Sequence, residues 1–254
     1  MNLNTSHVLA PKSQYLDQLT ELLPISDAST HRTYLIRHGE STANVYFEVD
    51  GKRVRTVSGK STSIPLTDDG RKQIQALAEQ LAKLLPKQTK LIIVSSSAER
   101  TKQSAKILFD ELSKEHTVTL ASEIYKGLNE RGLGNWEGLI RDDSYEAAEK
   151  PWKALPAAAK WITPEVEGAD RHKDVGKRAV KAIAEIRNRY SDYTVIAFTS
   201  FNVINATAIK FNKLKGKLST EPKTDLPKLN LGNGDMVLLE TSQNHTSVVS
   251  HIKA

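Results

Sequence analysis

Hydrophobic and polar positions alternate in two ways along this chain from about residue 33 onward. Short apolar runs of four to seven residues predict strands at 33–36, 90–94, 117–120, 194–198, 235–240 and 246–252. Apolar residues at helical spacing predict helices between these runs, at 74–85, 98–112, 175–190 and about 202–211. Alternating strands and helices are typical of an α/β fold with three layers, in which helices cover both faces of a mostly parallel sheet. Ligands of such sheets bind beyond the carboxyl ends of the strands.

The first 30 residues precede this alternation and read as a separate extension. Leu16, Leu19, Leu22 and Leu23 recur at helical spacing and predict a short amphipathic helix that ends before Pro24. A linker is expected after this helix. We therefore expect an N-terminal extension over 1–30 and one α/β domain over 31–254.

Composition narrows the possible functions. The chain has 254 residues, of which 39% are hydrophobic, enough to build a core, and it has no cysteine, which excludes disulfides, thiol nucleophiles and cysteine-ligated metals. No apolar run reaches the length of about 18 residues that a membrane span needs. The N-terminus does not show the basic segment and apolar core of a secretory signal. We expect a cytoplasmic protein with no membrane partner, and the sequence leaves its oligomeric state open.

The chain carries a formal net charge of +6, a value that is compatible with a nucleic acid, a membrane surface or a small anion as partner. The basic residues are spread along the chain without a block of five like charges, and aromatic residues make up only 6%. This distribution disfavours a nucleic-acid partner and leaves a small anionic substrate as the interpretation to pursue.

Residues that suit an anion follow two of the predicted strands. Arg37, His38 and Gly39 follow the first strand, and Arg100 lies just inside the helix after the second. Guanidinium groups match phosphate oxygens bidentately, and a neutral histidine between them can attack phosphorus. We expect Gly39 to allow a sharp turn. Ser96 and Glu99 have capping-box spacing, which predicts a helix start whose free N–H groups also favour an anion.

Four segments in order resemble the histidine phosphatase superfamily, which includes the phosphoglycerate mutases. They are the run Leu35 to Asn44 (LIRHGESTAN), the Pro-Leu-Thr segment at 64–70, the second arginine segment at 96–105, and the loop from Leu128-Asn129-Glu130 to Gly138. The resemblance covers about residues 32–252. It implies a phosphoglycerate mutase-like fold.

The resemblance also implies a two-step phosphoryl transfer that needs no metal and no cofactor. His38 would be the nucleophile and would carry the phosphoryl group as phosphohistidine. Glu130 would protonate the leaving oxygen and then act as base on water, with Glu137 as the competing carboxylate. Arg37, Asn44 and Arg100 would bind the phosphoryl group. The resemblance is less specific for Ser58 and Gly59, which lie upstream of the Pro-Leu-Thr segment at positions where relatives contact the substrate.

One family motif is altered in this chain. Relatives carry a second histidine followed by glycine after a later strand, and here Ser200 and Phe201 stand at those positions. Ser200 can donate one neutral hydrogen bond and carries no charge, and the loss of one preorganised donor typically costs about 10²–10³-fold in rate. Phe201 adds bulk where glycine would leave room.

Three functions therefore stay open. The first is a phosphomonoester hydrolase that acts on a phosphorylated small molecule; the second is an impaired pseudophosphatase that binds phosphorylated ligands or a protein partner; the third, ranked lower, is a phosphoglycerate mutase. Lys52, Arg53, Arg55 and Lys60 flank the expected pocket, either to hold a second phosphate or carboxylate or as a solvated loop. His31, His116 and His172 lack motif support and are predicted to be surface residues.

Overall fold

The computed structural model describes residues 30–86, 89–211, 215–242 and 245–253. The helix predicted around Leu16 to Leu23 lies outside the described residues, so the division into an extension and a domain stays a prediction.

A six-stranded sheet forms the centre of the described chain. Its strands are β1 (His31–Arg37), β4 (Leu91–Ser95), β5 (Val118–Ile124), β6 (Thr194–Thr199), β7 (Met236–Ser242) and β8 (His245–Ile252). The order across the sheet is β5-β4-β6-β1-β7-β8, with parallel pairing from β5 to β1 and antiparallel pairing at β7. The predicted strands are all present, most displaced at their ends by one to four residues.

Helices cover both faces of this sheet. The helices are α1 (Asp68–Leu84), α2 (Glu99–Leu112), α3 (Asp143–Lys153), α4 (Ala157–Ile162), α5 (His172–Arg189) and α6 (Phe201–Lys210). Successive residues of β1 face opposite sides: Ile36 packs in a core with α1 and α2, while Leu35 packs in a core with α5 and α6. This arrangement confirms the predicted three-layer α/β fold.

Two regions contain structure that the pattern does not predict. An exposed hairpin is formed by β2 (Phe47–Val49) and β3 (Lys52–Val54), and the stretch from 126 to 163 holds α3 and α4. Most side chains of the hairpin are exposed, so no inward-facing alternation marks it. In α3, Pro151 lies within the helix and interrupts the helical signal. Short 3₁₀ turns occur at Thr42–Asn44, Lys126–Leu128, Gly134–Trp136 and Lys215–Lys217.

No helix in the described ranges combines the length and the apolar character that crossing a bilayer requires.

Candidate active site

A cavity of about 760 Å³ lies beyond the carboxyl ends of β1, β4 and β6. The side chains of Arg37, His38, Asn44, Arg100 and Glu130 all line it, although Glu130 is more than 90 residues from His38 along the chain. The structure thus brings together the residues that the resemblance assigns to phosphoryl transfer.

His38 follows the last residue of β1 and is only 5% exposed. Its backbone N–H donates to the carbonyl of Thr199 on β6, and its own carbonyl accepts from the amide of Asn233. The ring Nδ1 lies 2.7 Å from the carbonyl oxygen of Gly39, which requires Nδ1 to carry a proton and donate. Nε2 therefore carries the in-plane lone pair, and it accepts a hydrogen bond from Nε of Arg100 at 3.2 Å.

The surroundings keep this imidazole neutral. Burial lowers the pKa of His38 to about 3, and the positive charges of Arg100 and Arg37 act in the same direction. The hydrogen bond to Gly39 opposes this shift only in part. At neutral pH the ring is thus in its nucleophilic form.

Arg100 is 2% exposed and is held by backbone carbonyls rather than by a carboxylate. Its guanidinium donates to the carbonyl oxygen of Ser61 at 2.9 Å and of Gly59 at 3.3 Å, while Nε donates to His38. Burial lowers the pKa of Arg100, and the nearby charge of Glu130 raises it. The segment around Gly59 therefore fixes the direction of the guanidinium.

The start of α2 differs from the prediction. Its N-cap is Ala98, and the hydroxyl of Ser96 lies 2.8 Å from that of Thr101 instead of forming a capping box. The N–H groups of Glu99 and Arg100 donate to the carbonyls of Thr62 and Ile64. Those N–H groups donate to carbonyls of a segment that is distant in the sequence but adjacent in space. The prediction that this helix start offers them to an anion is therefore wrong.

Arg37 supplies the second guanidinium. Its Nη1 donates to the carbonyl oxygen of Leu231 at 2.7 Å, and the guanidinium carbon lies 5.5 Å from the centre of the Phe201 ring. Its Nε is buried without a hydrogen-bond partner in the described part of the chain. Burial lowers the pKa of Arg37, but the charges of Glu130 and Asp235 oppose this and stabilise the cation.

The amide nitrogen of Asn44 is the side-chain atom that can face a ligand in the cavity, because the amide oxygen is already engaged. The amide oxygen accepts from the backbone N–H of Ser41 at 3.0 Å and from the Ser41 hydroxyl at 2.9 Å. The NH₂ end is thus the group left to donate to a bound anion.

Glu130 lies on a loop that is held in place by a residue just after β4 and by α5. The side-chain oxygen of Asn129 accepts from the N–H and hydroxyl of Ser97, just after β4, at 2.9 and 3.0 Å. Arg178 on α5 donates to the carbonyls of Gly127 and Glu130. The Glu130 carboxylate itself accepts from the N–H of Arg131 at 2.6 Å.

The competing carboxylate, Glu137, has a different position. Its Oε1 accepts from the N–H groups of Lys60 and Leu133, and it does not line the cavity. The geometry therefore separates the two acids: Glu130 faces the cavity and Glu137 stabilises the loop.

Ser58 and Gly59, which the resemblance places near the substrate, both line the cavity. Gly59 adopts φ +43°, and a Cβ there would lie 2.3 Å from the Glu137 carboxylate. The positive φ favours glycine at this position, where the carbonyl also accepts from Arg100.

Gly39 is needed for a reason other than the predicted sharp turn. Its φ does not fall in the left-handed region, but a Cβ at this position would lie 2.3 Å from the carbonyl oxygen of Gly70 on α1. The glycine therefore permits a close approach of two backbones directly beside His38.

Ser200 caps the start of α6 and is fully buried. Its hydroxyl has no hydrogen-bond partner among the residues that the structure describes, and it does not line the cavity. The neighbouring Phe201 does line it and packs against Arg37. The position to which the resemblance assigns a second histidine thus carries a short hydroxyl without a partner among the described residues, and the adjacent aromatic ring forms part of the cavity wall.

Several cavity residues were not recognised in the sequence. Arg131 forms an ion pair of 2.7 Å with Glu165, and both side chains are 6% exposed. His172 lines the cavity and packs edge-on against Trp152, and His116 is buried, so the prediction that both are surface residues is wrong. Burial lowers the pKa of His172 to about 3. Arg131 lies inside the family-like segment from Leu128 to Gly138 without an assigned role, and no motif marks His116 or His172.

No group of three or more His, Asp or Glu side chains within the described ranges has a geometry suited to a metal ion.

Solved structures of other proteins resemble this fold. The mycobacterial glucosyl-3-phosphoglycerate phosphatase matches with 20% identity over 89% of this chain and 100% of its own, at a TM-score of 0.61. YhfR of Bacillus stearothermophilus matches with 21% identity over 88% and 98% of the two chains, at 0.64. A phosphoglycerate mutase of Bacillus anthracis matches with 16% identity over 89% and 95%, at 0.61. These similarities confirm the phosphoglycerate mutase-like fold.

No curated protein matches the sequence. The model of the histidine phosphatase superfamily, branch 1, matches residues 33–253. Because this match covers most of the chain, the protein belongs to the histidine phosphatase superfamily.

Proposed function

We propose that this protein is a phosphomonoester hydrolase that acts on a phosphorylated small molecule through a phosphohistidine at His38. The observation that carries the proposal is the neutral His38 ring, whose Nδ1 is engaged by Gly39 and whose Nε2 lone pair lies beside the buried guanidinium of Arg100. This ring is presented at the edge of the cavity that Arg37 and Asn44 also line. The cytoplasmic location remains a prediction from the sequence.

In the first step, Nε2 of His38 attacks phosphorus and the bond from phosphorus to the ester oxygen breaks. Arg37, Arg100 and the Asn44 amide stabilise the charge on the transferring oxygens. Glu130, in its protonated form, gives its proton to the leaving oxygen. The products of this step are the free alcohol, a phosphohistidine and the Glu130 carboxylate.

In the second step, a water molecule attacks the phosphohistidine. Glu130 accepts a proton from this water while the bond from nitrogen to phosphorus breaks. Inorganic phosphate leaves, and both His38 and Glu130 regain their starting protonation states. One difficult displacement is thereby split into two easier ones.

The test is hydrolysis of p-nitrophenyl phosphate in the presence of EDTA. The purified protein should release p-nitrophenol and phosphate, and His38→Ala should abolish the release. As matched control, His116→Ala removes a histidine whose Nε2 bonds the carbonyl of Ala82 away from the cavity. Full activity in His38→Ala would remove this residue from its proposed role.

The pseudophosphatase alternative is favoured by one observation, the unsatisfied and uncharged Ser200 at the second-histidine position. It predicts that vanadate or phosphate raises the melting temperature while no substrate in a panel of phosphate esters is turned over. A mutase would instead return the phosphoryl group to a hydroxyl of its substrate, so release of inorganic phosphate separates it from the hydrolase.

A further inference from the structure

The cavity carries more positive charge than transfer of one phosphoryl group requires. Of the described residues that line it, nine are Lys or Arg and four are Asp or Glu. Several cations are neutralised locally: Arg131 pairs with Glu165, and Arg141 and Lys153 both pair with Glu149. Charges that remain without a carboxylate inside one cavity repel one another unless an anion binds between them.

Arg53 and Arg55, on and just after β3, are two of the cations left in that state. Among the described residues neither has an ion pair or a side-chain hydrogen bond, yet both line the cavity. Their guanidinium carbons lie 4.9 Å and 5.7 Å from the centre of the Tyr46 ring. The ring orders both groups and leaves their N–H donors free.

The position of Arg55 links it to the phosphoryl site. Its carbonyl accepts from the N–H of Arg141, which anchors the end of the hairpin at the cavity wall. Arg55 and Arg37 line the same cavity, and the positive charge of Arg55 makes a small contribution to lowering the pKa of Arg37, which burial lowers most. An anion held by Arg55 would therefore lie near a phosphoryl group held by Arg37.

We infer that the substrate carries a second anionic group, a carboxylate or a second phosphate, which Arg55 and Arg53 bind while the phosphoryl group lies at His38. This inference rests on the proposed function of the His38 site, since it describes the far end of the same substrate. Under this inference, Arg53 and Arg55, which both contact the Tyr46 ring, determine whether the protein prefers a substrate with one or with two anionic groups.

The experiment measures binding by calorimetry, so that it does not depend on turnover. The probes are phenylphosphonate, which has one anionic group and cannot be hydrolysed, and its 3-carboxy and 4-carboxy derivatives, which place a carboxylate at two distances from phosphorus. The wild-type protein should bind at least one carboxylated probe about tenfold more tightly than phenylphosphonate, the effect of one charge-assisted hydrogen-bonded contact.

In the double variant Arg53→Gln/Arg55→Gln this preference should fall to about twofold or less, because the carboxylated probe should lose more affinity than phenylphosphonate does. The matched control is Lys52→Gln, on the same strand, because Lys52 is paired with Asp143 and lies outside the cavity. The control should keep the wild-type preference. Lys52 and Arg53 are exposed, Arg55 is half-buried, and neither arginine has a side-chain hydrogen bond to lose, so the variants should melt like the wild type.

Two results would overturn the inference. Equal binding of all three probes by the wild type, or a preference that survives in the double variant, would remove the second-anion site while leaving the phosphoryl site intact. Failure of every probe to bind would instead remove the proposed function together with the inference.

Discussion

The buried, neutral His38 makes the stability of the fold depend on pH. The pKa of this ring lies at about 3 in the folded protein, chiefly because of burial, against an ordinary value of 6.5. Between these values the unfolded chain binds a proton that the folded protein does not, so stability is complete above pH 6.5 and falls as the pH decreases toward 3. A fall to about pH 4.5, roughly two units below the ordinary value, costs about 3 kcal/mol of unfolding free energy through His38 alone.

The substitution His38→Asn isolates this contribution. The Asn amide has an N–H that can replace Nδ1–H as donor to the Gly39 carbonyl, and it does not titrate. Urea unfolding is measured at about pH 7.5 and about pH 4.5 for both proteins. The wild type should lose about 3 kcal/mol more than the variant between the two conditions. His172, whose pKa is also lowered to about 3 by burial, is common to both proteins and cancels in this difference. An identical loss in the two proteins would refute the conclusion that His38 is neutral and buried.

Two further predictions concern the packing beside His38. Gly39→Ala should destabilise the protein by about 3 kcal/mol and greatly reduce activity, because the added methyl group meets the carbonyl of Gly70. The measurement is a thermal melt, and the control is Gly216→Ala, which should have little effect because the space around Gly216 is open. Equal stability of the two variants would contradict the clash at Gly39. The double variant Ser200→His/Phe201→Gly should raise kcat by about 10²-fold if a missing donor limits the rate, measured against Phe201→Gly alone. No gain over that control would mean that the site has reorganised around its present residues.

Much of the fold was predictable from periodicity because the sheet and its covering helices bury one face of each element. The apolar residues Ile74, Leu77 and Leu81 of α1 and Ile183 and Ile186 of α5 are buried in the two cores, as are the apolar runs of β4 and β6. Pattern and structure agree there. The hairpin β2–β3 escaped prediction because its side chains face solvent and the cavity rather than a core.

The site divides in the same way. Arg37, His38 and Arg100 follow two predicted strands, so their meeting in one cavity was predictable from those places. Asn44 and Glu130 were assigned by the family resemblance, and they line the same cavity. The helix start at Ala98 was not, because the competing acceptors, the carbonyls of 62–64, come from a distant segment.

The part of the cavity wall that Arg131 and His172 form was also not predictable. Arg131 is paired with a glutamate 34 residues away, and His172 reaches the cavity only because α5 packs beside Trp152. Such contacts depend on tertiary packing, which leaves no local pattern in the chain.

The hydrogen bond from Arg100 to Nε2 of His38 has a consequence for the proposed nucleophile. It occupies the one ring lone pair that remains, because Nδ1 donates to the carbonyl of Gly39. Under the proposed mechanism, a phosphoryl oxyanion that binds the guanidinium of Arg100 would compete for this hydrogen bond and would free the lone pair as it binds.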